Sequence, residues 1–569
     1  MISADHAPPP DAAARIRSAG RVALDLETSG QGNKEGLDPW RGDIRLLTIA
    51  IPRSEPWVFD LCSGPLPADV AGALSEVEIV AHHARFDLLW LAVRLGIRPR
   101  TVFCTLTASR LLTAGTLDGN SLDNVLARHL GIAPSDDHST SDWGGLFLTD
   151  DQIRYAVRDV RHLHNLRRVL EKEITAAGLD AVCSLEMNLL PVVVAMEEAG
   201  IAVDTERLQA IRDDALRDSH SAAVRLADLL RTPALNPSSP KQLLKALQRH
   251  GLTLRDTDES TLKASDDGVV IPAILDFRSR EKLGQQAQSL LDAVGPDGRI
   301  HSRFDPTGTD TGRFSSHSPN LQNIARGPLR ACFIAPRGQR LLTADYNQIE
   351  LRAAAFLAGE DRMIDAYRAG EDLHRLTAAA ILNKPASEVD KHDRQIAKSA
   401  NFGLLYGQGA QGLVHYAANS YGVQLTVPEA LAIRTKFFAA YPGIAKWHSQ
   451  CWKAARAKVP EARTLLGRRR VITPGADRWQ RFTALVNTPV QGSCADGLKI
   501  AMVALAPLLP TGARLVSTVH DELIVECPKD QIDETSEVLR STLVHSMQVL
   551  LPNVPIAVDL ATGRNWAAK

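Results

Sequence analysis

Cysteine is sparse in this chain of 569 residues: seven stand at positions 62, 104, 183, 332, 451, 494 and 527, with no CxxC pair and no Cys/His cluster. An odd, scattered set excludes a disulfide framework and a zinc centre, and points to free thiols in a reducing compartment. Any metal must then be held by carboxylates. No run approaches the roughly 18 apolar residues of a membrane span. The N-terminus, MISADHAPPPDAAARIR, has no basic segment followed by an apolar core, so no secretory signal is read and the cytoplasm is expected. Net charge is also nearly absent, at −1. Residues 1–180 hold 19 Lys and Arg against 24 Asp and Glu, and the rest hold 46 against 42, a mild asymmetry that only permits local basic surfaces on the larger part. What is present is ordinary globular composition, 44% hydrophobic and 23% charged, at a length that suits several compact units.

The first 20 residues are Pro- and Ala-rich and read as a tail. From Arg21 the pattern is α/β: RVALDLET, DIRLLTIAIP and WVFDL read as strands, and VEIVAHHARFDLLWLAVRLG as strand into helix. Residues 151–175 have the apolar spacing of one amphipathic helix, and this unit ends near Gly178. Residues 186–291 read as a helical arm broken at PALNPSSP. A dense polar loop follows, DPTGTDTGRFSSHSPNLQNIARG, too rich in turn residues for regular structure and of a length that is usually functional. QRLLTADYNQIELRAAAFLAG then reads as strand, turn and helix, residues 360–460 as helices, and LVSTVHDELIVECP as two strands turning at His520–Glu522.

Two sets of carboxylates carry chemistry. Asp25 and Glu27 alternate by two on a strand and so share a face. Asp87 follows His83 and Phe86 where a strand enters a helix, and Tyr155 and Asp159 lie one helical turn apart. Four acids and a phenol from three elements could gather two Mg²⁺ about 3.5–4 Å apart, the arrangement that activates water against a phosphodiester. In the second set, Asp345 ends an apolar strand, and Asp521 and Glu522 stand at a hairpin turn. Carboxylates there are costly to desolvate unless paired or bound to a cation, which suggests a second two-metal site. Between them Arg394, Lys398, Phe402 and Tyr406 recur every four residues on one helical stripe. Two cations followed by two aromatics suit a triphosphate and a sugar or base.

The spacing of the first set, its Tyr-x-x-x-Asp ending and SDWGGL before YAVRD resemble the proofreading 3′–5′ exonucleases of the four-acid-plus-tyrosine class. With TDTGRFSSHSPNLQNI, TADYNQIELR, RQIAKSANFGLLYG, NTPVQGSCADGLK and VHDE in order, the chain from about Arg21 to Trp566 resembles family A DNA polymerases of the large-fragment type. The resemblance implies a multidomain α/β and α+β protein: a ribonuclease H-like exonuclease domain at 21–180, then a right-hand polymerase with thumb at 181–300, palm at 301–355 and 471–569, and fingers at 356–470.

It implies roles for single residues as well. Asp25, Glu27, Asp87 and Asp159 would hold metals and Tyr155 would orient the attacking water. Asp345 and Asp521 would bind two Mg²⁺, with Mn²⁺ a possible substitute and Glu522 beside them. Arg394 and Lys398 would clamp nucleotide phosphates, Lys398 also supplying a proton to departing pyrophosphate, while Phe402 stacks on the sugar and Tyr406 guards the template base. Tyr346, Gln348 and Glu350 would line the nucleotide site, Glu350 excluding a 2′-hydroxyl. Arg313, Asn487, Gln491 and His520 would touch the primer end through minor-groove acceptors common to every correct pair.

The implied partners are primer–template DNA and deoxynucleoside triphosphates, for a monomer in bacterial or phage-infected cytoplasm with no membrane and no dedicated processivity factor. The family's departures here are His83 for a common Asn, Cys104 for Asp, Asn347 for Ser and Thr483 for Arg. No 5′ nuclease region precedes the exonuclease motifs, so removal of RNA primers is not expected. An exonuclease alone leaves the second set unexplained, and Glu350 with the first set argues against a single-subunit RNA polymerase. A decayed, DNA-binding polymerase is disfavoured by intact acids in both sets.

Overall fold

The segment Arg21–Ser29 is buried on both faces for most of its length, which only a strand inside a sheet can satisfy. In the computed structural model, which describes residues 6–31, 35–134, 138–265, 267–324, 326–473 and 475–568, it is the central strand of five. The order is Trp57–Asp60, Asp43–Ala50, Arg21–Ser29, Glu78–Ala81, Val102–Cys104. The first two pairings are antiparallel and the last two parallel. Helices cover the sheet, and Val22, Leu24, Leu47, Ile79, Trp90, Leu166 and Leu170 lie in one core.

Part of the expected tail belongs to this core. Residues 1–5 lie outside the described residues, but Ala12–Ala19 is a helix that buries Ala12, Ala13 and Ile16 and ends at Gly20 in the left-handed conformation. Alanine is the best helix former, so one anchoring isoleucine suffices. The single helix expected over 151–175 is two, Asp150–Arg161 and Leu163–Ala176.

The chain divides into two units, one made of residues up to Ala199, Phe304–Ser316 and Leu342–Leu560, the other of Gly200–Arg303, His317–Leu341 and the end from Ala561. The smaller unit is built on the lengthwise packing of Thr205–Leu229 and Val270–Asp292. At their far end Pro240–Arg249 starts on Ser239, whose side chain accepts from the Gln242 N–H, and a separate core forms around Leu226, Leu243, Leu247, Ile274 and Phe277. The helix Asp180–Ala199, expected with the thumb from residue 181, instead packs in the larger unit against Ala84–Leu95 and Arg478–Leu505. Ala181, Ser184, Asn188 and Ala195 form one exposed stripe along it, and most of the rest of its surface, Val182, Leu185, Leu189 and Val193 included, is buried.

A second sheet, most of whose residues belong to the larger unit, runs in the order Arg514–Val519, Glu522–Pro528, Gln339–Tyr346, Val558–Gly563. Val519 pairs with Glu522, so the hairpin turns on two residues, His520 and Asp521, the former at φ 56°. Among the described residues no helix is long and apolar enough to cross a membrane.

Candidate functional site

Both sets of acids lie in the larger unit. On the central strand of the first sheet the pairing shifts directly after Glu27, which faces Leu46 while Thr28 faces Ile44. This irregularity leaves Arg45 as the extra residue, and bulges of this kind re-aim side chains beside active sites. Asp87 lies in the first turn of Ala84–Leu95, behind His83 in the left-handed conformation, and is buried. Burial pushes the Asp25 carboxyl well above its ordinary range, and the charges of Glu27, Asp87 and Asp159 push it further. Burial raises Asp87 in the same direction. The four acids thus converge on Asp25, and the repulsion among them is what a divalent cation relieves.

Tyr155 is packed beside His138 and Trp143, with ring centroids 5.8 and 6.4 Å away. Arg45, which the sequence reading passed over, anchors that stretch. Its buried guanidinium donates to the Gly145 carbonyl at 2.5 Å and pairs with Asp60 at 3.0 Å. No spacing signal marks it, because its role comes from the bulge.

In the second sheet Asp345 and Asp521 are brought together where the strand end meets the hairpin, the Tyr346 N–H donating to the Asp521 carbonyl at 3.4 Å. Burial and then the negative charge of Asp345 push the Asp521 carboxyl up to about 7, Glu350 adds to this and Arg313 opposes it. Glu522 opens the second hairpin strand and is buried. Among the described residues no three His, Cys, Asp or Glu side chains form a ready-made metal cage. The donor chemistry nevertheless fits a hard divalent cation: only oxygen donors, partly desolvated and held against one another.

Glu350 joins two other expected residues, its carboxylate accepting from both the Arg313 guanidinium and the Tyr406 hydroxyl. Burial and this neighbour hold the Tyr406 phenol well above its usual range. Tyr346 does not belong with them. Adjacent strand residues face opposite ways, and its buried hydroxyl donates to the Leu543 carbonyl at 2.7 Å in the core. Gln348 sits at φ 51° before the helix Ile349–Ala358 and accepts from the Tyr367 hydroxyl at 3.3 Å.

The helix Lys391–Leu405 starts on a reciprocal cap between Asp390 and Asp393 and carries Arg394, Lys398 and Phe402, with Tyr406 just past its last turn. Arg394 donates to Asp372 at 2.6 Å. Burial and the Arg394 charge draw the Lys398 ammonium below its ordinary value. Phe402 lies 6.0 Å from the ring of His374, which burial and Arg394 lower to about 4, so it is neutral at pH 7. Asp372 and His374 are additions to the expected set. Asn487 and Gln491 lie one turn apart on Arg478–Leu505, and the buried amide oxygen of Asn487 has no hydrogen-bond partner among the described residues. Asn347, a departure from the resemblance, is tied to Asp559 at 3.0 Å.

The family described as DNA polymerase family A matches residues 205–568, and one described as 3′–5′ exonuclease matches residues 2–175. DNA polymerase I of Aquifex aeolicus is 32% identical over 582 residues, covering 97% of this chain and 96% of its own. DNA polymerase I of Pseudomonas aeruginosa is 33% identical over 523 residues, covering 86% of this chain but 56% of its own. The chain therefore spans nearly all of one relative and a little over half of the other. The solved POL domain of Pol1 from M. smegmatis, in complex with DNA primer-template and dNTP, superposes with a TM-score of 0.85 at 26% identity over 98% of both chains.

Proposed function

Because the chain belongs to DNA polymerase family A and carries a 3′–5′ exonuclease domain, we propose that it extends a DNA primer from deoxynucleoside triphosphates and trims the same 3′ end, in the cytoplasm, in replication or repair. The observation that carries this is the presence of two separate groups of crowded acids on one unit, one around Asp25 and one around Asp521. A single activity needs only one.

Asp345 and Asp521, with Glu522 beside them, would hold two Mg²⁺ for addition, and Asp25, Glu27, Asp87 and Asp159 would hold the pair for excision, with Mn²⁺ as a substitute. Such ions lower the pKa of an attacking hydroxyl or water and neutralise charge on the phosphorus. The protein's own groups supply position and field. Arg394 and Lys398 neutralise the triphosphate, and Lys398, already drawn below its ordinary value, is suited to give a proton to pyrophosphate. Phe402 stacks on the sugar, and Glu350, fixed by Arg313 and Tyr406, closes the space beside the 2′ position. The unpartnered Asn487 oxygen, with Gln491, Arg313 and His520, faces the primer terminus. Tyr155 orients the water in the exonuclease site.

The test is a labelled primer on a DNA template with Mg²⁺, incubated with and without deoxynucleotides. Elongation in one lane and shortening in the other is expected; neither product in either lane refutes the reading.

A further inference from the structure

Glu186 and Glu197 are completely buried acids on one helix, Asp180–Ala199. They are eleven residues apart, three turns, and so lie on the same face. Glu197 accepts from Arg85 at 2.8 Å, two residues before Asp87, and from the backbone N–H of Phe304 at 2.6 Å. Glu186 accepts from Arg468 and Lys499, and Arg468 also pairs with the buried Asp496 at 2.7 Å. Lys499 in turn donates to the Pro306 carbonyl at 2.8 Å. Between those two points Asp305 is paired with Arg110, on the exonuclease-domain helix Thr105–Thr113, at 2.7 Å.

Three consecutive residues, Phe304, Asp305 and Pro306, are therefore each held by a different charged side chain. Two of those side chains are on Thr105–Thr113 and on Asp180–Ala199, which packs against the Asp87 helix Ala84–Leu95, and the third is on Arg478–Leu505, the helix that also carries Asn487 and Gln491. The same stretch runs directly into the loop that carries Arg313. Further along it the backbone at Gly312, at φ +82°, passes so close to Arg468 that an added Cβ would lie 2.4 Å from the guanidinium, which leaves room only for glycine. Buried charges of this kind contribute little net stability compared with apolar packing, and their strength lies in fixing one geometry.

We infer that Phe304–Pro306 is a coupling clasp through which the exonuclease half sets the position of the primer-end loop, with Glu197 and Arg110 as positioning residues for the choice between extension and excision. The inference rests on the two-activity reading above. Arg110 holds Asp305 and Thr307 at 2.7 and 3.1 Å, and Glu197 holds Arg85 and the Phe304 N–H, so loosening the clasp is expected to leave the acids of each site in place. What changes is how long a matched 3′ terminus stays beside Arg313 before it is given up to excision.

The test measures idle turnover on a matched primer–template, as nucleotides excised per nucleotide added, in wild type, Arg110→Gln, Arg110→Lys and Glu197→Gln. Degradation of single-stranded DNA is measured alongside. Arg110 is partly exposed, so its variants keep the fold even where the wholly buried Glu197→Gln does not. The expected result is a change of at least fivefold in the ratio for Arg110→Gln, recovery of most of it in Arg110→Lys, and single-strand degradation within twofold of wild type. An unchanged ratio in folded Arg110→Gln overturns the clasp. Failure of the underlying two-activity reading is separate, since it is seen in the wild-type lanes as absence of extension or excision.

Discussion

Replacing Asp521 by Asn preserves the side chain's size and removes one of two charges that repel across the hairpin and the neighbouring strand end. Burial and Asp345 raise this carboxyl from 3.8 to about 7. At about 1.36 kcal/mol per unit, the native state then carries a cost of about 4 kcal/mol for keeping Asp521 ionised without a cation. The side chain keeps some access to water, so about 2 kcal/mol is the working figure. The sign follows from linkage: a carboxyl raised in the folded state binds more protons there than in the unfolded chain, so stability falls as pH rises from about 4 through 7 and levels off above. Asp521→Asn should therefore be more stable than wild type at pH 8 in EDTA, with the gap shrinking steadily towards pH 5. Mg²⁺ should close the gap by stabilising wild type and not the variant, and the variant should no longer extend primers. Thermal unfolding across pH 5–8.5, with and without Mg²⁺, measures all of this. Equal stability at pH 8, or a gap that does not depend on pH, refutes the crowded-acid account of the site.

Asp25→Ala with Glu27→Ala should abolish shortening of single-stranded 3′ ends and leave primer extension within a few-fold of wild type, while Asp345→Ala does the reverse; loss of both activities from either folded variant contradicts separate sites. Glu350→Ala removes the common acceptor of Arg313 and Tyr406 and opens the space beside the sugar. Ribonucleotide incorporation should rise at least tenfold relative to deoxynucleotides, and unchanged sugar selectivity in a gel extension assay would remove Glu350 from that role. Burial and the Arg468 charge draw the Lys499 ammonium down to about 8. An unfolded lysine keeps its proton to about pH 10.4, so the native state gains stability relative to the unfolded one as pH rises from 8. Denaturant titrations should show wild type gaining on Lys499→Met between pH 7 and 9.5, and a constant difference would mean that Lys499 titrates normally.

How far the fold can be read from the chain depends on whether a segment's pattern has a competitor. Arg21–Ser29 was legible because a short apolar run closed by acids leaves few alternatives to a buried strand. The break at His162 was not, since the apolar spacing through Ile153, Val157, Val160, Leu163, Leu166, Leu170 and Ile174 continues unbroken from one helix into the next. Ala12–Ala19 was missed for the opposite reason: a single buried isoleucine makes no period, and neighbouring prolines suggest a tail. Asp180–Ala199 was recognised as helix but expected with the segment that follows it, because a broad apolar face shows that a helix is buried and not which neighbour it packs against.

The same distinction separates the acids of the two sites from the charges that connect them. Chemistry fixes the residue type and near spacing of Asp25 and Glu27, or of Arg394 and Lys398, so both can be found along the chain. Tyr346 shows the limit even there: it lies inside a motif, yet strand alternation turns its side chain from Asp345 into the core. The clasp has no such local rule. Glu186 meets Arg468 across 282 residues and Lys499 across 313, and a charged side chain in sequence reads as surface until its partner is known. Two acids among the buried apolar residues of Asp180–Ala199 were the trace. A buried acid needs a buried base, and that requirement ties Asp180–Ala199 to Arg478–Leu505 and to Phe304–Pro306 more specifically than its leucines and valines could, since apolar contacts tolerate sliding and hydrogen-bonded ion pairs do not.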